Sequence, residues 1–118
     1  MSVAQVVVGG TRRLVGLKPA NTNEATMFTA GSERPVVVQI VVANNTGSAA
    51  AATIKWGDGS TDYDVISGKS IGANDSWIQD IFLPLFDAYT IKVTSGTGNA
   101  LTFTLAIVEY SGALGGRN

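Results

Sequence analysis

Residues 100–110 read ALTFTLAIVEY. Leu101, Phe103, Leu105 and Ile107 fall on one side of an extended chain, and Thr102, Thr104, Ala106 and Val108 on the other. Side chains of a strand point alternately to opposite faces, so this period of two predicts a half-buried strand. Three more segments carry the same signal. PVVVQIVVANN puts Val36, Val38, Ile40 and Val42 together, opposite Val37, Gln39, Val41 and Ala43. AAATIKW groups Ala50, Ala52, Ile54 and Trp56 against Thr53 and Lys55. AYTIKVTS groups Tyr89, Ile91 and Val93 against Thr90, Lys92 and Thr94. Weaker strands are expected over residues 13–18, 25–29, 61–66 and 76–83.

Between these runs lie residues that tolerate positive φ or form Asx turns: NNTGS (44–48), GDGS (57–60), SGKSIGAND (67–75) and SGTGN (95–99). Seven or eight short strands punctuated in this way predict an all-β fold, an antiparallel β-sandwich or jelly roll. The segment NDSWIQDIFLPLF offers a helix cap at Asn74 or Asp75, but Pro84 would stop a helix within about ten residues. It reads as extended. Three regions follow: residues 1–23 as an N-terminal arm or first strand, 24–111 as the sandwich, and 112–118 as a glycine-rich tail.

The stretch IKWGDGSTDYDVISG holds Asp58, Asp62 and Asp64. A helix–loop–helix calcium site needs glycine at its sixth position and glutamate at its twelfth. Counted from Asp58, those positions are Tyr63 and Lys69. A type I′ hairpin turn at Asp58-Gly59, with an acidic solvent face on the returning strand, fits better than a metal site or a catalytic dyad. Asp75, Asp80 and Asp87 show no spacing that selects a carboxylate pair for glycoside hydrolysis. No catalytic residue, metal ligand or cofactor is expected.

Composition narrows the field further. The 118 residues suit one domain. They include no cysteine and no histidine, which removes disulfides, thiolate zinc sites and histidine-based triads. Charged residues make up 14% and the net charge is −1, so no basic patch for nucleic acid is expected. No apolar run approaches the ~20 residues of a membrane-spanning helix. The N-terminus lacks the charged and apolar regions of a secretory signal, so the chain is expected to stay in the cytoplasm of the cell that makes it.

One feature departs from a plain sandwich. Both faces of the valine-rich strand at 36–43 are largely apolar, and the strand at 101–108 adds Ala106 and Val108 to its threonine face. A two-layer sandwich needs only one apolar face per sheet. A second apolar face implies a cover, either a partner chain or the protein's own arm, hence assembly rather than catalysis. The candidate partner-binding residues are Val6, Val7, Val8, Arg12 and Arg13 in the arm, with Val37, Val41 and Trp77 in the sandwich. Sugar binding through Trp77 or Tyr63 is an alternative.

The run from ATMFTAGSERPVVVQIVVANNTGS through AATIKW and SIGANDSW, then IFLPLFDAYTIKV and SGTGNALTFTLAIVEY, resembles small β-sandwich virion proteins of tailed bacteriophages. The likeness covers roughly residues 25–111. Where such proteins commonly carry a glycine-aspartate turn, this chain has Phe86-Asp87-Ala88. The resemblance implies a capsid decoration (cement) protein on the outer capsid surface, partnered by the major capsid protein and by itself, as a trimer at three-fold positions. A tail, baseplate or head-fibre component is the other role it implies.

Overall fold

The computed structural model describes residues 11–109. They form eight strands: β1 (Thr11–Leu17), β2 (Ala25–Thr29), β3 (Pro35–Asn44), β4 (Ala50–Gly57), β5 (Asp62–Ile71), β6 (Ser76–Pro84), β7 (Thr90–Ser95) and β8 (Leu101–Glu109). Two four-stranded antiparallel sheets result, with orders β1-β8-β3-β6 and β2-β7-β4-β5. Only the β4–β5 hairpin joins neighbours within one sheet. Every other connection crosses to the opposite sheet, which is the jelly-roll topology. The fold is therefore all-β, and residues 76–84 are a strand paired with β3 rather than a helix.

Alternation places the core. Leu101, Phe103, Leu105 and Ile107 of β8 are buried, as are Ile54 of β4 and Ile91 and Val93 of β7. Phe28 closes the cluster from β2, and Val15, Leu17 and Trp56 pack around it. Burying side chains of this size stabilises the fold by about 1.5–3 kcal/mol each, before chain entropy is counted.

Strict alternation fails at one place in β3. Against β8, Val37 and Gln39 pair with the consecutive Ile107 and Ala106, so Val38 is an extra residue in a β-bulge; against β6 the extra residue is on β6, where Ile81 and Phe82 both lie opposite Val38. The phase inverts there. Val37, Ile40 and Val42 all face inward and are fully buried, while Val41 turns outward. The expectation that Val37 shares the outer face with Val41, and so serves a partner, is corrected by this bulge.

Two turn expectations also change. The loop between β4 and β5 spans four residues, and of these only Gly59 has a positive φ, +95°. A type I′ turn requires two, so the hairpin stands but its turn type does not. Asp58 holds the loop instead. Its Oδ1 accepts from the Ser60 and Thr61 backbone N–H groups at 2.9 and 2.8 Å. These bonds favour the ionised carboxylate and hold its pKa below the ordinary value. The expected loop at 67–75 is shorter than read, because β5 continues to Ile71. Gly68, with φ +62°, donates its N–H to Thr53 Oγ1 at 2.9 Å and absorbs a bulge opposite Thr53.

At the end of β3, Asn44 is buried and fully hydrogen-bonded. Its Nδ2 donates to the Ser48 and Ile71 carbonyls at 2.8 and 3.0 Å, and its Oδ1 accepts from Thr46 N–H and Oγ1 at 3.0 and 2.7 Å. One side chain thus ties the β3–β4 loop to the end of β5.

Candidate interaction surface

The two sheets present different outer faces. On the β2-β7-β4-β5 sheet the outward residues are Thr26, Thr53, Lys55, Asp62, Asp64, Lys92 and Thr94, as the register requires. Lys92 pairs with Asp62 at 3.0 Å, and Lys55 reaches Glu24 at 3.6 Å. This is a solvated, charge-balanced face.

The outer face of the β1-β8-β3-β6 sheet is largely apolar, with Arg12, Gln39, Asp80, Thr102 and Thr104 among its side chains. β1 contributes Leu14, β8 Ala106 and Val108, β3 Val36, Val38 and Val41, and β6 Ile78 and Phe82. Leu14, Ile78 and Phe82 are 73%, 60% and 74% exposed, far above what large apolar side chains of a covered sheet show. They stand on the two edge strands. The two central strands between them carry smaller side chains: Thr102, Thr104 and Ala106 on β8, and Val41 and Ala43 on β3. The result is a trough with apolar walls. A groove of about 500 Å³ lies over β8, lined by Arg12, Leu14, Val38, Ala106 and Val108.

Placement of the expected partner-binding residues is mixed. Val41 lies on this face, half-buried, and Arg12 stands exposed at its β1 edge. Arg13 points to the other side of β1. There its guanidinium bonds the Glu109 carboxylate at 3.1 Å and lies 5.4 Å from the Phe28 ring centre, so its charge serves the sandwich edge. Val37 is in the core. Trp77 is on the inner face of β6, packed against the core, with Lys69 Nζ 5.9 Å from its ring centre. Val6, Val7 and Val8 lie outside the described residues. Sequence reasoning missed Leu14, Ile78 and Phe82. The signal was present: with residues 76–83 extended, Ile78 and Phe82 alternate with the half-buried Trp77, Ile81 and Leu83.

The carboxylates are occupied individually rather than gathered. Asp80 accepts from Gln39 Nε2 at 3.0 Å, Asp75 from the Ser76 N–H at 2.8 Å, and Asp62 from Lys92. Among the described residues no three acidic side chains cluster to hold a metal ion. Tyr63, considered for sugar stacking, has its ring 4.5 Å from that of Trp56 and stacked upon it.

No protein-family model matches the chain, and no curated protein matches it in sequence. Solved structures match in shape. A chain of the Bacillus endospore appendages, which are disulfide-linked pili, is similar at a TM-score of 0.56 and 12% identity, covering 85% of each chain. A chain of the capsid of Helicobacter pylori bacteriophage KHP30 is similar at 0.55 and 6% identity, covering 85% of this chain and 86% of that one. A chain of infectious bursal disease virus, Gx strain, is similar at 0.51 and 10% identity; the match spans 92% of this chain but 34% of the viral one. At these identities what is shared is the β-sandwich fold.

Proposed function

We propose that this chain is a structural protein of a bacteriophage virion, and that it decorates the outside of the capsid. One observation carries the reading: a jelly roll whose one sheet is charge-balanced and whose other sheet exposes Leu14 on one edge strand and Ile78 and Phe82 on the other. A polar face suits water and an apolar face suits a protein partner. Fold similarity to chains of a phage capsid and of a second virus supports the virion setting. The sequence resemblance to phage virion β-sandwiches supports the virion role and takes in both decoration and the tail, baseplate or head-fibre placement.

The work asked of such a protein is mechanical. It bridges neighbouring capsid subunits and adds buried interface against internal pressure. Individual contacts need not be strong, because lattice symmetry repeats them and many engage together. No catalysis is assigned, and the separate engagement of Asp58, Asp62, Asp75 and Asp80 supports that.

The test is co-sedimentation of the purified protein with phage heads stripped of it, followed by heating the heads. Binding that saturates and raises the temperature of head rupture supports decoration. Saturable binding to purified tails and none to heads would replace it with the tail reading.

A further inference from the structure

The register of the apolar face contains a knob and a hole at the same height. Phe82 lies on β6 between the pairs Val37–Leu83 and Gln39–Asp80. The groove lies over β8 beside Ala106 and Val108, whose partners on β3 are Gln39 and Val36. Knob and groove therefore sit at one level along the strands, two strand positions apart, with β3 midway between them.

The geometry points to a second copy of this chain as the occupant of that groove, docked about a two-fold axis that runs parallel to the strands over β3. A rotation about that axis keeps height along the strands and exchanges β6 with β8. It places Phe82 of each copy over the Ala106–Val108 groove of the other, and brings the two Val38 side chains together at the axis. The same operation sets Asp80, which shares a row with Gln39 and Ala106, over Ala106 of the other copy, and brings that copy's Arg12, exposed on β1, to the neighbouring row. The face is thus complementary to itself in shape and in charge, as a two-fold contact between identical surfaces requires. The inference rests on the assembly half of the proposed function and deepens it by naming its surface, and it sets an even-numbered unit against the trimer that the resemblance implies.

Size sets the strength. Three strands overlap in this arrangement, about 14 Å across at ~4.8 Å spacing and about 30 Å long. That is roughly 400 Å² per copy and roughly 850 Å² in total, below the ~1,000–1,200 Å² of stable isolated complexes. The contact is weak and reversible in solution, and becomes useful where a lattice repeats it.

Sedimentation velocity of the full chain over a concentration series tests this directly, together with single cysteine variants, since the chain has no cysteine of its own. A concentration-dependent dimer is expected, and Phe82→Asp should abolish it while leaving the thermal midpoint and circular dichroism unchanged. Val38→Cys should form a disulfide-linked dimer on mild oxidation, whereas Ser70→Cys on the polar sheet should not. A strictly monomeric chain up to its solubility limit overturns the proposal. So does a dimer that Phe82→Asp leaves intact, or one lost only on removal of residues 1–10, which would make the arm the occupant. Head binding is read separately: a Phe82→Asp monomer that still decorates heads would leave the virion role standing, and a dimer that binds no virion part would leave only the interface.

Discussion

Replacing Asn44 with alanine removes the most connected polar side chain of the sandwich. Asn44 is 2% exposed and makes four hydrogen bonds, two as donor and two as acceptor. A typical bond contributes about 0.5–1.5 kcal/mol net, and a buried partner left unpaired costs more. The Ile71 carbonyl sits in the buried part of this network, so water will not replace its lost donor easily. Thr46 and Ser48 lie nearer solvent and will rehydrate. The sum is a loss of about 2–4 kcal/mol, a large share of the 5–15 kcal/mol of an ordinary domain. Urea unfolding followed by circular dichroism measures it, with an unchanged m-value as the check that both states keep their compactness. The matching fall in thermal midpoint is roughly 10–15 °C. Asn44→Asp sharpens the test, because it keeps the shape and the acceptor but aims a charge at the Ser48 and Ile71 carbonyls. It should be at least as damaging at neutral pH, whereas the exposed neighbour Asn45→Ala should shift stability by less than about 0.5 kcal/mol. If Asn44→Ala or Asn44→Asp unfolds within about 0.5 kcal/mol of the wild type, the network does not hold the β3–β4 loop to β5 and the reasoning fails.

The remaining expectations are smaller or more local. Val37→Asp buries an unpaired charge and should prevent folding, while Val38→Asp, one residue along but in the bulge, should fold; equal damage from both in an expression and circular dichroism screen would refute the inverted phase. Gly59→Val should cost about 1–3 kcal/mol because of its positive φ, and Ala88→Gly, which relieves an alanine at φ +71°, should stabilise by up to about 1 kcal/mol. Asp58 has a lower pKa folded than unfolded, so its contribution is present above the unfolded value and fades as pH falls below about 4. Asp58→Asn should flatten that part of the stability–pH curve, and an unchanged slope would remove Asp58 as its source. Calcium should leave the thermal midpoint where general salt effects put it; a saturable rise at micromolar calcium would restore the metal reading of the acidic hairpin.

Much of this fold was legible because burial enforces alternation. The β8 pattern of Leu101, Phe103, Leu105 and Ile107 states its inner face outright, and β2 falls on the residues expected for it. The Val37 misplacement has a different origin. A bulge shifts the phase by one, and nothing in VVVQI marks which valine is the extra one, since all three are equally apolar. Gly68 misled in the same way: its positive φ serves a bulge within β5, not the end of the strand. The unusual surface was half legible. The doubly apolar β3 announced a second apolar face, but which residues project from it depends on pairing between strands distant in sequence. Leu14 meets Ala106, and Val41 meets Ile78, only once the jelly roll is formed.

Separation of dissociated virions into heads and tails, with quantitative mass spectrometry of each fraction, tests the virion role most directly. The chain should be found in the head fraction, at a copy number in simple proportion to the major capsid protein. Its absence from purified virions, or its confinement to the tail fraction, would contradict the assignment to the capsid surface.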